Sequence, residues 1–236
     1  MQTTETRRWR IRGPEMEGPI ARWYARVRGT TSQIAAYRKQ ALDLTAGLAD
    51  GAHVLEVAPG PGYLAIEMAR FGRFEVTGLD ISRTFVGIAN ENARRQRVQV
   101  DFHQGDASRM PFEASTFDLI VCQAAFKNFT LPLSALGEMH RVLRTGGTAV
   151  IQDMSHDASH ADIEHEVKAM ALGRWTTFTT MATLETLKRR AYSPAKLQEL
   201  VAQSPFQTCD ITTEGIGLEV RLKRESDLLS QSPSQP

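Results

Sequence analysis

The run at residues 54–63, Val-Leu-Glu-Val-Ala-Pro-Gly-Pro-Gly-Tyr, constrains this chain more than any other. Val54, Leu55 and Val57 flank the acidic Glu56 and read as a buried strand. Gly60 and Gly62, one residue apart, imply a tight turn. Leu64, Ala65, Ile66, Glu67, Met68 and Ala69 then continue as a helix. A strand, turn and helix start of this kind bring bare backbone and a helix N-terminus up to one point. The next apolar run, residues 74–79, ends at Asp80. An acidic residue there can accept hydrogen bonds from both hydroxyls of a ribose. The pair of segments points to a ligand that contains a nucleoside.

Two cofactor patterns fit these residues. Residues 60–65 match the G-x-G-x-x-G/A dinucleotide fingerprint, with Asp80 near the distance expected for NAD. The same residues match an E/D-x-G-x-G-x-G loop with Ala58 at the first glycine. Later segments separate the two. A third strand-like run at residues 98–102 leads into Gln104, Gly105, Asp106 and Ala107. A fourth strand spans residues 116–122. A helix with apolar residues at helical spacing spans residues 133–143, and residues 144–148 break it. A fifth strand spans residues 149–153. Such alternation predicts an α/β fold, a parallel sheet covered by helices on both faces, with ligands at the carboxyl ends of the strands.

This ordered set resembles the class I S-adenosylmethionine-dependent methyltransferases. It comprises Glu56 to Gly62, Asp80, Gly105-Asp106-Ala107, Phe117-Asp118 and Leu143-Arg144-Thr145-Gly146-Gly147. The resemblance covers residues 50–155 and extends more loosely to 224. It implies a three-layer Rossmann-like fold, with a seven-stranded, mostly parallel sheet and an antiparallel last strand. N-terminal helices and a helical insert after strand five complete the expected architecture. The implied cofactor is S-adenosyl-L-methionine, with S-adenosyl-L-homocysteine as product. Glu56 is expected to face the amino group of its methionine part, Gly60 and Gly62 to admit it closely, and Asp80 to hold the ribose. Ile81 would pack on adenine, Asp106 and Ala107 would pair with its edge, and the Gln123 carbonyl would meet the amino group. Ala58 departs from the family pattern and is expected to avoid positive φ. Pro59 and Pro61 remove two N–H donors from the loop.

The sequence divides into a flexible arm (1–14), one methyltransferase domain (15–224) and a disordered tail (225–236). Within the domain we expect N-terminal lid helices (15–48), the cofactor-binding core (50–154), a helical insert (155–192), and a last helix and hairpin (193–224). The first two helices are read at residues 15–27 and 33–48, with Ser32 capping the second. The insert is read as helices at about 156–172 and 174–191, separated by Gly173 and able to cap the pocket. Residues 193–201 form a serine-capped helix with proline in its first turn. Strands at 205–213 and 215–223 close the fold.

Hydrophobic content of 42% and charged content of 23% are ordinary for a globular chain, and no run is apolar enough to span a bilayer. The N-terminus lacks an apolar leader core, so a cytoplasmic location is expected. Cys122 and Cys209 have no metal-ligand spacing, and no metal is expected. Residues 1–40 carry a net charge of +6 against −5 in the remainder. A solvated basic arm and a cationic lid over an anionic partner both fit this asymmetry.

The expected acceptor is a small-molecule nucleophile bound near residues 124–129. Lys127 could bind an anionic acceptor or lie solvated in a loop. Asn128 could orient a polar acceptor or cap the turn before Pro132. Tyr24, on a lid helix, could reach either ligand. The motifs of base-amino and cytosine C5 methylation are absent, which argues against a nucleic-acid acceptor. An RNA or protein methyltransferase using the basic N-terminus and a non-catalytic cofactor-binding module stand as alternatives. Either a monomer or a homodimer fits.

Overall fold

The computed structural model describes residues 16–169 and 174–225. Helices α1 (Gly18–Arg28) and α2 (Thr31–Thr45) precede the alternating core. The core runs β1 (His53–Val57), α3 (Tyr63–Ala69), β2 (Glu75–Asp80), α4 (Arg83–Gln96), β3 (Asp101–Gln104), β4 (Phe117–Gln123), α5 (Pro132–Val142) and β5 (Leu143–Met154). The chain continues through α6 (His160–Ala169), α7 (Arg174–Lys188), α8 (Pro194–Ala202), β6 (Asp210–Glu214) and β7 (Gly217–Lys223). Seven strands make one sheet in the order β3-β2-β1-β4-β5-β7-β6. Strands β1 to β5 pair in parallel. Strand β7 pairs antiparallel with both β5 and β6. Successive crossovers move outward from β1 to β3, and the chain then returns to lay β4 on the other side of β1. The strand order reverses there, and a crevice opens at the strands' carboxyl ends.

Both faces of the sheet are covered, which explains why its strands read as apolar runs rather than alternating patterns. Leu55, Ile120 and Ile151 face one layer, with Leu136 and Met139 of α5 and Leu197 of α8. Their neighbours Val54, Val121 and Val150 face the other layer, with Tyr37 of α2, Leu64 of α3 and Ala89 of α4. Residue by residue the strand period of two is intact.

Several boundaries differ from the sequence reading. The third strand begins at Asp101, not Val98. Arg97 closes α4 in a left-handed conformation (φ 57°), and the Val98 N–H donates to the Ala93 carbonyl at 3.1 Å. That is a Schellman closure, and Val98 packs back on the core as its apolar contact instead of joining the ladder. Thr30, not Ser32, stands at the start of α2: its carbonyl accepts from Ile34 N–H, and Ser32 lies inside the first turn. Helix α1 starts at Gly18 rather than Glu15, which lies outside the described residues. Strand β5 begins at Leu143, with a register shift opposite Phe117–Leu119, so residues 144–148 end α5 and also enter the sheet. Helix α6 begins at His160. Ser159 precedes it, its hydroxyl accepting from Asp162 N–H and its own N–H donating to the Asp162 carboxylate. Gly173, the arm at 1–14 and residues 226–236 of the tail lie outside the described residues. The Ser193 cap on α8 is present, with Lys196 N–H donating to its hydroxyl. The last hairpin begins at Asp210 rather than Pro205.

Candidate active site

The crevice has two sections that meet at Ala58. The first is bounded by Leu79, Ile81, Ala107 and Leu131, and Asp106 also lines it. The second lies between the glycine turn and the helices α1 and α2. Glu56, Gly60 and Gln123 line one side of it, and Tyr24, Arg28 and Tyr37 the other. The first section is mainly apolar with one carboxylate among its lining residues, which suits a purine. The second is polar and charged.

The turn between them is built as its glycines require. Gly62 precedes α3 at φ 78°, a left-handed conformation that costs glycine nothing. A Cβ there would lie 2.7 Å from Phe102 Cζ and 2.9 Å from Ala89 Cβ. Ala58 also adopts positive φ, at 57°, with its N–H donating to Leu79 O at 2.7 Å. The expectation that alanine would avoid this region is overturned. The loop leaves β1 where a family glycine would stand, and the ladder to β2 holds the smallest chiral side chain in the conformation that glycine would use.

Two buried carboxylates flank the turn. Asp80 Oδ2 accepts from Gly60 N–H at 2.9 Å, and Oδ1 from Ser82 N–H at 2.8 Å. Burial pushes its pKa up to about 6 against the lowering effect of those bonds. Glu56, 3% exposed, accepts from Ala65 N–H in the first turn of α3 at 2.7 Å. Burial, with Asp80 nearby, pushes it up to about 8. A buried carboxylate of this kind gains from a cationic ligand group. Asp106, which lines the apolar section, accepts through Oδ1 from the N–H and hydroxyl of Ser108, both at 2.8 Å.

A latch from the N-terminal segment secures this region. The Glu17 carboxylate accepts from Arg83 and Thr84 N–H, the exposed end of α4. Gly18 N–H donates to Thr84 Oγ1, and Ser82 Oγ donates to Met16 O. The segment entering α1 is thereby fixed beside Asp80. Tyr63 OH donates to Ala25 O at 2.8 Å and ties α1 to α3.

The structure groups Glu56, Ala58, Gly60 and Gln123 in the charged section with Tyr24, and Ile81, Asp106 and Ala107 in the apolar one. Asp80 and Gly62 line neither section; Asp80 touches the lining through the hydrogen bond that it accepts from Gly60 N–H. The three acceptor candidates part company. Lys127 is neither solvated nor free for an anion. It is 6% exposed, its ammonium donates to the Asp153 carboxylate and to Ala124 O, and its N–H donates to the same carboxylate. Asn128 sits in a single 3₁₀ turn and lines neither section. Leu131 occupies the position before α5. Tyr24 remains at the crevice, edge-on to Phe85 at 5.8 Å. Phe129, read as part of the acceptor region, lines the apolar section instead. The Gln123 side chain turns away to Gln40 of α2 at 2.8 Å, and Gln40 in turn pairs with Gln152. Among the described residues, none of α6 or α7 lines either section. Arg28 was not singled out in the sequence: three arginines share α1, and helical spacing alone does not tell which one faces the crevice.

A doubly wound sheet, a glycine turn at the switch in strand order, and carboxylates at the ends of β1 and β2 define a nucleoside-cofactor-binding α/β protein. The family itself follows from the sequence comparison: the chain belongs to the methyltransferase-domain family, whose model matches residues 48–203. It is 36% identical over 107 residues to the demethylmenaquinone methyltransferase of Deinococcus radiodurans, covering 45% of this chain and 44% of that protein. The corresponding Thermus thermophilus enzyme is 34% identical over 116 residues, covering 49% and 52%. The chain thus spans about half the length of the curated relatives it matches. In fold it is similar to a SAM-dependent methyltransferase from Aquifex aeolicus (TM-score 0.65, 16% identity, 85% of this chain and 96% of that one).

Proposed function

We propose that this chain binds S-adenosyl-L-methionine in the two-section crevice and transfers its methyl group to a small-molecule nucleophile. The observation that carries this reading is the pair of buried carboxylates, Glu56 and Asp80, on either side of the Gly60–Gly62 turn. The donor set fits the cofactor. Asp80 can accept from ribose hydroxyls, Glu56 can pair with an ammonium, and Asp106 can accept from an adenine amino group beside Ile81 and Ala107. When bound, the cofactor supplies an electrophilic methyl carbon on a sulfonium. The protein's part is to hold the acceptor in line and exclude water. With Lys127 neutralised by Asp153, it supplies no free cation or base to the acceptor. Tyr24, one of three tyrosines lining the charged section, is our candidate to orient one. The names of the curated relatives support a hydroxylated aromatic ring, such as a reduced naphthoquinone, as the first acceptor class.

The test is to incubate the protein with S-adenosylmethionine and a panel of quinols, phenols, thiols, amines and carboxylates. S-Adenosylhomocysteine release and acceptor mass are then measured. Release that depends on one acceptor class supports the proposal. Product binding without release across the panel supports a non-catalytic binding module instead. No helix among the described residues is long and apolar enough to cross a membrane. A cytoplasmic location accords with this reading.

A further inference from the structure

Three neighbouring strands carry a polar residue at one level. Gln123 ends β4, Gln152 is its partner on β5, and Glu219 is the partner of Gln152 on β7. Gln123 and Gln152 each stand two residues beyond a core valine of the α2 layer, Val121 and Val150. With a strand period of two, the row faces α2. Gln40, one turn beyond Tyr37 on that helix, enters it. The four side chains form one chain of hydrogen bonds. Gln123 Nε2 donates to Gln40 Oε1 at 2.8 Å, Gln40 Nε2 donates to Gln152 Oε1, and Gln152 Nε2 donates to Glu219 Oε2 at 2.7 Å. Arg221 Nε donates to the other oxygen of Glu219.

The carboxylate sets the direction of this chain. An amide side chain can stand either way round, with oxygen and nitrogen exchanged, whereas an ionised carboxylate only accepts. Glu219 therefore takes the nitrogen of Gln152. That leaves the Gln152 oxygen for Gln40 and the Gln40 oxygen for Gln123. At the far end the Gln123 nitrogen is engaged, and its oxygen has no partner among the described residues. Gln123 is half-buried, and no buried side-chain polar atom among the described residues lacks a partner, so this oxygen is open. Gln123 and Ala124 line the charged section where it borders β4. A chain that served only to seal α2 on the sheet would need no fixed polarity and no open end.

Resting on the methyltransferase reading of the crevice, we propose that the Gln123 side-chain oxygen accepts from a hydroxyl or N–H of the methyl acceptor. Gln123 is thereby a specificity-determining residue, and Glu219 is the positioning residue that holds its polarity through Gln152 and Gln40. A glutamine oxygen takes no proton, so it orients the acceptor without deprotonating it. An O-methylated product has lost the hydrogen that this contact needs. The same contact therefore favours substrate over product.

The test is calorimetric titration of the S-adenosylhomocysteine-loaded chain with 1-naphthol and with 1-methoxynaphthalene, which keeps the ring and lacks the donor. The variants are Gln123→Leu and Glu219→Gln, and the ratio of the two affinities is compared between proteins. Gln123→Leu should lower the preference for 1-naphthol by about 2- to 12-fold, the range for one hydrogen bond. Glu219→Gln, which can donate as well as accept, should lower it in the same direction by a smaller factor. Affinity for S-adenosylhomocysteine should stay within about twofold in both variants. An unchanged preference in Gln123→Leu would overturn the proposal. A fall in Gln123→Leu with none in Glu219→Gln would overturn the role of Glu219. Loss of S-adenosylhomocysteine binding in either variant would overturn the proposal by making the chain a brace for α2 or a cofactor contact. If the loaded, unaltered protein binds neither naphthalene, the proposal falls and the cofactor reading stands. If that protein does not bind S-adenosylhomocysteine, the reading beneath it fails.

Discussion

Replacing Gly62 by alanine separates two physical costs that the glycine turn avoids. The first is conformational: at φ 78° an L-residue loses on the order of 1–2 kcal/mol. The second is steric. The new Cβ would stand 2.7 Å from Phe102 Cζ and 2.9 Å from Ala89 Cβ, both on buried side chains of the second core layer. Overpacking of this kind costs about 1–3 kcal/mol. The reduced freedom of the unfolded chain returns about 0.4–1 kcal/mol. The net is a loss of about 1–4.5 kcal/mol. For a chain of this size that lowers Tm by about 2–18 °C. Gly72→Ala isolates the first cost, since Gly72 has φ 66° and nothing within 4 Å of its would-be Cβ. Its loss should be about 1.5 kcal/mol or less. Ala58→Gly runs the other way: it relieves φ 57° and should leave stability unchanged or raised by up to about 1.5 kcal/mol. Urea unfolding of the three variants reads all three values. Gly62→Ala as stable as Gly72→Ala would refute the steric argument, and a large loss in Ala58→Gly would refute the strain assigned to Ala58.

Other consequences follow from the same residues. Asp80→Ala should weaken S-adenosylhomocysteine binding by at least about tenfold, through lost bonds to a charged acceptor. Unchanged affinity by titration would remove Asp80 from the ribose site. The folded pKa of Glu56, about 8, lies above the ordinary value of 4.5, so the folded state holds the proton more tightly than the unfolded chain. That contribution to stability is complete below about pH 4.5 and is lost as pH rises through 8. Tm of the ligand-free protein should therefore fall between pH 6 and 9, and Glu56→Gln should flatten this fall. A slope that survives the substitution would assign it elsewhere. Lys127→Met strands the Asp153 carboxylate, 7% exposed, and should cost about 3–5 kcal/mol. The double variant Lys127→Met, Asp153→Leu should recover most of it in urea unfolding. A single variant of full stability would show the ion pair to be unimportant.

Which parts of this account were legible beforehand depends on how local the signal is. The strand–turn–helix at β1 was readable because glycine, proline and a run of apolar residues lie within fifteen positions. Ser193-Pro194 announced α8 for the same reason. The conformation of Ala58 was not readable, because a local preference of 1–2 kcal/mol yields to a sheet that fixes both ends of the loop. The start of β3 was missed because Val98 is an apolar β-branched residue that serves a helix end rather than a strand. Lys127 looked like a loop lysine because Asp153, its partner, is 26 residues away and meets it only across the β4–β5 pair. The place of Arg28 depends on how α1 and α2 fold against the glycine turn, which no pattern within either helix contains.

Calorimetric titration of the purified chain with S-adenosylhomocysteine, with NAD as control, tests the central claim most directly. The crevice described here predicts binding of S-adenosylhomocysteine, with a Kd on the order of micromolar (about −8 kcal/mol), and none of NAD. No heat with S-adenosylhomocysteine, or binding of NAD alone, would contradict the account.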